Sequence, residues 1–140
     1  MPSHANRVRA LTMLLRLAGV VTSSAFLAML LPTDWMAATH QRLGFGEFPR
    51  IPVMEYLTRS IAALYGFHGG LLLLIARNPI KHIIVVRYVA FMNVALGVML
   101  LVIDLEAGLP EWWTLVEGPP IILVGIAMAI LARSADNVTR

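Results

Sequence analysis

Four long apolar runs dominate this 140-residue sequence, and they constrain its fold more than any other feature. They cover approximately residues 10–31, 53–76, 83–103 and 112–132. A membrane-spanning helix needs about 20 mostly apolar residues, and its backbone groups must be paired within the segment because lipid offers no partners. Hydrophobic residues make up 59% of the chain, whereas about 45–50% is usual for a soluble domain. We therefore predict an all-α, four-transmembrane-helix bundle that forms a single membrane domain over residues 1–140.

The segments between the runs predict how the spans are connected. Residues 77–81 contain the turn-forming pair Asn78-Pro79, so spans two and three should form an antiparallel hairpin. Residues 105–111 form another short link, which contains Gly108 and Pro110. The first outer loop, residues 32–52, is long and lacks clear periodicity, and we expect it to pack as a cap over the bundle.

The first and last spans each allow a second interpretation. Residues 23–25, Ser-Ser-Ala, form a weak signal-peptide cleavage site, but the apolar run continues to Leu31, which favours a retained span. Whether the first span is cleaved stays open. In span four, Pro119 and Pro120 remove backbone hydrogen bonds within a helix, so we expect a kink or a restart beside Glu117.

Positive charges are distributed unequally between the two ends of the spans, which predicts their orientation. With the N-terminus in the cytoplasm, the cytoplasmic side carries Arg7, Arg9, Arg16, Arg77, Lys81, Arg87, Arg133 and Arg140. The outer side carries Arg42, Arg50 and Arg59. We therefore predict a multi-pass protein of the cell (inner) membrane with both termini in the cytoplasm.

Ionisable residues at membrane depth need a partner or a use, because an isolated charge costs about 2.5–3.5 kcal/mol at mid-span. Arg59 is the lone cation among several carboxylates near the outer ends of the spans, and Glu55 precedes it by one helical turn. One interpretation is an outward-facing polar pocket that binds a small ligand. The other is a structural ion pair between Arg59 and Asp104 or Glu117. The candidate ligand-binding residues are Glu55, Arg59, Tyr65, His68, Asp104 and Glu117.

Small residues in spans two and three predict close contacts between helices. Gly66 and Gly70 lie four residues apart and form a G-x-x-x-G pair on span two. Gly97 follows Asn93 by one helical turn on span three. We expect Gly66, Gly70 and Gly97 to be helix-packing positions.

Several classes of function lack the residues that they need. The sequence has no cysteine, which excludes disulfides and thiolate metal sites. His68 is the only histidine near mid-depth, so we do not expect a haem held by two histidines of this chain. Lys and Arg form no dense patch for nucleic acid, and no H-E-x-x-H, G-x-S-x-G or Walker motif occurs. We predict no catalytic residues, no metal and no cofactor.

Span two also carries a family resemblance. Residues 59–70 read RSIAALYGFHGG and are followed by the short turn Arg77-Asn78-Pro79. Together with four short spans and a long first loop, this pattern resembles the small bacterial four-helix membrane proteins of the DoxX-like group. The resemblance covers spans two to four and implies the fold and a bacterial membrane location. It carries over no site residue, because that group is mostly of unassigned activity.

Two functions follow from these observations. The first is an accessory or structural subunit that packs with partner membrane proteins, as a homo-oligomer or in a larger complex surrounded by lipid. The alternative is binding or transport of a small ligand, a lipid or a quinone through the outward-facing polar pocket. An enzyme is not expected.

Overall fold

The protein is all helical over the part of the chain that the structure describes. The computed structural model describes residues 4–136, with side chains over residues 5–134. Its helices are α1 (His4–Ser23), α2 (Ala25–Met29), α3 (Thr33–Arg42), α4 (Pro52–Ile75), α5 (Ile83–Ala107) and α6 (Glu111–Asp136). Four segments are long and apolar enough to cross a membrane: Ala5–Met29, Pro52–Ile75, Ile83–Ala107 and Glu111–Ser134. The predicted fold class, all-α with four transmembrane helices, is confirmed.

The first span differs from its predicted bounds at both ends. α1 begins at His4, ahead of the apolar run, because Arg7 and Arg9 are good helix formers whose long side chains keep their charged ends in water. The helix is interrupted at Ser24, whose Oγ donates to the Val21 carbonyl at 2.6 Å. A serine hydroxyl that binds the preceding turn competes with the regular backbone ladder. α2 then continues the span to Met29.

The long first loop contains a helix that the sequence reading did not predict. α3 follows Pro32, whose carbonyl accepts from the backbone N–H groups of Trp35 and Met36 at 3.0 and 3.1 Å. Asp34 lies in its first turn and Arg42 in its last, each at the end that the helix dipole favours. The helix is short and polar, and Met36 is its one buried residue, so its sequence resembles that of a loop.

The chain divides into two compact units, Gly19–Leu71 and a second one made of Met1–Ala18 with Leu72–Arg140. In the second unit, here called the α5–α6 unit, apolar side chains from α1, the end of α4, α5 and α6 form one core. Its most deeply buried members are Leu11, Leu15, Val86, Met128 and Ala132. The other unit, here called the α3–α4 unit, has an edge-to-face contact between Phe26 and Phe67, with ring centroids 5.3 Å apart.

The two short connections have clear local causes. In the turn after α4, the backbone N–H of Lys81 donates to Oδ1 of Asn78 at 3.1 Å. α5 ends at Ala107, and the next residue, Gly108, has a φ of 66°, a left-handed conformation that suits glycine because it has no Cβ. The backbone N–H of Leu109 then donates to the Asp104 carbonyl at 3.0 Å.

α6 is continuous from Glu111 to Asp136 with Pro119 and Pro120 inside it, so the predicted restart at this point is wrong. Proline lacks an N–H, and each proline therefore leaves a carbonyl one turn earlier without its usual donor. The helix continues across the prolines because neighbouring residues of α6 pack along α5; Gly118, for example, lies against Gly97.

Large apolar side chains cover the outside of the spans. Leu64, Phe67 and Ile84 are 69%, 72% and 79% exposed. A soluble protein rarely exposes so much contiguous apolar surface, whereas lipid or a partner helix covers such a surface in a membrane. The protein is therefore a multi-pass membrane protein.

Candidate functional site

The six candidate ligand-binding residues lie in two different units. Glu55, Arg59, Tyr65 and His68 belong to the α3–α4 unit, and Asp104 and Glu117 belong to the α5–α6 unit. Each group has its own geometry.

Arg59 is bound to the backbone at the end of the first span. Its Nη1 donates to the Met29 carbonyl at 2.5 Å, and its Nη2 donates to the Leu31 carbonyl at 3.2 Å. Met29 is the last residue of α2 and Leu31 precedes Pro32, so both carbonyls lie where helical pairing stops. An unpaired carbonyl at membrane depth costs several kcal/mol. The charge of Arg59 therefore stabilises the exit of the chain from the first span.

The other polar residues of α4 do not share this contact. Glu55 is half-buried, and in the part that the structure describes it makes no ion pair with Arg59. The ion pair found in the described residues joins Arg50 and Asp34 at 2.8 Å, and both side chains are mostly exposed. Tyr65 and His68 are each half-buried deeper along α4.

The glycines of α4 differ in their surroundings. A Cβ at Gly66 would come within 2.7 Å of three ring carbons of Phe26. At Gly69 a Cβ would lie 2.3 Å from the backbone nitrogen of Ser23, so this position requires glycine. Gly70 is exposed, and a Cβ there would meet nothing within 4 Å. Gly69, which the sequence reading passed over, makes the closest contact of the three.

Asp104 and Glu117 lie together in the α5–α6 unit. Asp104 is 2% exposed, and its Oδ2 has no hydrogen-bond partner. Its carboxyl interacts with that of Glu117 across the interface between the two helices. Glu117 Oε2 accepts a hydrogen bond of 2.7 Å from Trp113 Nε1, one turn earlier on α6. Thr114, 8% exposed, lies buried on the same stretch of α6.

Glycines allow the helices that carry this pair to approach closely. A Cβ on Gly97 would come within 2.8 Å of the Gly118 carbonyl oxygen, and a Cβ on Gly118 would come equally close to that of Gly97. Farther along, a Cβ on Gly125 would lie 2.8 Å from the Ala90 carbonyl oxygen. Gly97 is one of the predicted packing positions, whereas Gly118 and Gly125 were not predicted. The seven-residue spacing of Gly118 and Gly125 is the sequence signal that indicates a common helix-packing face.

No protein-family model, curated protein or solved structure matches this chain. The resemblance to the DoxX-like group therefore stays a prediction.

Other site chemistry is limited in the described residues. No group of three or more His, Cys, Asp or Glu side chains comes together there to hold a metal ion. A surface hollow on α3 is lined by Trp35, Ala38, Thr39 and Arg42, none of which is a candidate site residue. The described residues thus offer a cation bound to the backbone, Arg59, a pair of carboxyls of which Asp104 is buried and Glu117 half-buried, and an exposed glycine, Gly70.

Proposed function

We propose that this chain is an accessory or structural subunit that packs against partner membrane proteins. It works in the cell (inner) membrane of a bacterium, surrounded by lipid, in a homo-oligomer or a larger complex. Both termini lie in the cytoplasm, as the distribution of Arg and Lys favours. It has no catalytic role and does not bind nucleic acid.

The observation that carries this proposal is the open surface at Gly70. A glycine inside a helix costs about 1 kcal/mol relative to alanine, so its presence needs a compensating contact. Gly66 and Gly69 have that contact inside the chain, against Phe26 and Ser23. Gly70 has none. Because helices in membranes associate through close packing at small residues, the absent contact at Gly70 is explained by a helix that approaches from outside.

Ligand binding through Arg59 has less support. That alternative needs a cation that is free to bind an anionic group. Both terminal nitrogens of Arg59 already donate to the carbonyls of Met29 and Leu31. A ligand would have to displace these bonds and leave two carbonyls unpaired at membrane depth, which is unfavourable.

Site-directed photo-crosslinking in the native membrane tests the proposal. The chain has no cysteine, so a single Gly70→Cys substitution gives a unique attachment point for a benzophenone maleimide. We expect illumination to produce one discrete adduct with a different membrane protein. A matched Leu64→Cys variant, labelled at a position that is 69% exposed on another side of α4, should give only lipid adducts.

Two results would contradict the proposal. One is a set of adducts that is identical from positions 70 and 64, because a specific partner at Gly70 requires a difference between the two sides of α4. The other is a lack of any protein adduct from position 70, because the surface at Gly70 would then face only lipid.

A further inference from the structure

Asp104 is the one ionisable side chain in the described residues that is almost completely buried. It is 2% exposed, and its Oδ2 has neither a donor nor contact with solvent. A buried polar atom without a partner is unfavourable, and more so when it is charged. Such an atom is rare in natural proteins and needs a physical explanation.

Glu117 is the group that faces Asp104. Gly118, its neighbour in sequence, lies against Gly97 and Leu101 of α5, and Leu101 precedes Asp104 by one turn. The antiparallel crossing therefore brings both carboxyls to the same level of the interface, where they interact directly. Oε2 of Glu117 also accepts the hydrogen bond from Trp113 Nε1 at 2.7 Å.

The described basic residues of α5 and α6 are not placed to neutralise two negative charges here. Arg87 on α5 and Arg133 on α6 lie about 25 Å away along their helices, at a rise of about 1.5 Å per residue. The nearby titratable groups on the same two helices are Glu106 and Glu111, which are acidic and exposed. Two carboxylates that lie close together repel each other, and a proton shared between them relieves that repulsion.

We propose that Asp104 and Glu117 form a proton-binding site, a carboxyl pair that holds one exchangeable proton at the linked end of the α5–α6 hairpin. In the loaded state one carboxyl is an acid that donates its hydrogen bond to the other, which is a carboxylate. On release, the proton passes to water and two carboxylates remain. The site is independent of the surface at Gly70, so either proposal can fail without the other.

The donor set favours a proton over a metal ion. Hard divalent cations take about six to eight oxygen ligands in proteins. This pair supplies two carboxyls, one of whose oxygens already accepts from Trp113. No third acidic, histidine or cysteine side chain of the described residues joins them in a metal-binding group.

Infrared difference spectroscopy of the full chain in lipid vesicles tests the site directly. We expect the wild type to show the C=O stretch of a protonated carboxylic acid, to shift that band in D₂O, and to lose it as the pH is raised. Asp104→Asn and Glu117→Gln should each abolish the band, because either amide donates a hydrogen bond to the remaining carboxylate. The exposed control Glu106→Gln should keep it.

A second measurement uses the wild-type protein and needs no substitution. The sequence has three aspartates, Asp34, Asp104 and Asp136, so a ¹³C-carboxyl-aspartate label gives few signals in solid-state NMR. We expect one signal of the wild-type protein to shift when H₂O is replaced by D₂O, because that carboxyl shares the exchangeable proton. The absence of any aspartate signal that shifts in D₂O, or a carboxylic acid band that survives in both single variants, would overturn the proposal.

Discussion

Gly97 and Gly118 lie so close together that a Cβ on either would come within 2.8 Å of the other's carbonyl oxygen. This reciprocal contact fixes the separation of α5 and α6 and the level at which Asp104 meets Glu117. Gly97→Ala should destabilise the protein by about 1–3 kcal/mol, because a well-packed interface tolerates extra volume poorly. Reversible unfolding of the purified chain in a mild detergent measures this free energy.

The control for that experiment is Gly70→Ala. A Cβ at Gly70 meets nothing within 4 Å, so alanine there should leave the isolated chain unchanged or stabilise it by up to about 1 kcal/mol through its better helix propensity. Equal destabilisation by the two substitutions would contradict the different surroundings of these glycines.

Arg59 should matter for stability rather than for ligand affinity. Arg59→Ala removes the donors of the Met29 and Leu31 carbonyls, and hydrogen bonds to charged groups contribute about 1.5–3 kcal/mol each. We expect a loss in that range, reduced by the partial exposure of the side chain. Arg59→Lys should recover only part of it, because an ammonium cannot reproduce the fork of the guanidinium.

Arg50→Ala is the matched comparison, because Arg50 forms its ion pair with Asp34 on the surface. Exposed ion pairs contribute about 0–1 kcal/mol, so this variant should unfold nearly as the wild type does. Thermal unfolding of all three variants in the same detergent decides the matter. A wild-type-like melting curve for Arg59→Ala would show that the contacts of Arg59 are not part of the fold.

The contact between Gly66 and Phe26 should be visible as an energetic coupling. Gly66→Ala places a methyl group against the Phe26 ring, whereas in a Phe26→Ala background the same methyl group has room. A double-mutant cycle should therefore give a coupling of about 0.5–3 kcal/mol. Additive effects of the two substitutions would contradict the close approach of these residues.

Orientation can be measured with single cysteines, since the natural chain has none. In Lys81→Cys, the cysteine lies in the turn after α4. It should react with a membrane-impermeant maleimide only when the cytoplasmic side of the membrane is accessible to the reagent. Glu47→Cys, in the first loop, should react from the outside of intact cells. The opposite labelling pattern would reverse the orientation that the positive charges predict.

The sequence predicts the four spans because their apolar length leaves few alternatives, but it does not predict how the helices are rotated. Gly118 illustrates the difference. Two prolines follow it, which suggested a restart, yet α6 is continuous there and Gly118 packs on Gly97. Rotation also separates Gly66 from Gly70, since one faces Phe26 and the other is exposed. A spacing of four residues places both glycines on one helical face, so the sequence alone does not show which of them is exposed.

In the candidate site, the sequence predicts which residues are involved, but the contacts that they make depend on the tertiary fold. The spacing and depth of Asp104 and Glu117 were sufficient to select both residues. For Arg59 the sequence offered only charged partners, whereas the structure uses backbone carbonyls. Carbonyls left unpaired at a helix end have no signature in the side-chain sequence, so this partner could not be foreseen. The unforeseen break at Ser24 has a similar origin in backbone bonding.

Native mass spectrometry of the protein released from its own membranes in a mild detergent tests the proposed accessory function most directly. We expect a stable complex with a different membrane protein, lost in Gly70→Leu and retained in Leu64→Phe, which adds bulk on another side of α4. A bare homo-oligomer that carries a reproducible small-molecule adduct, unchanged by Gly70→Leu, would contradict the accessory function and favour the ligand-binding alternative.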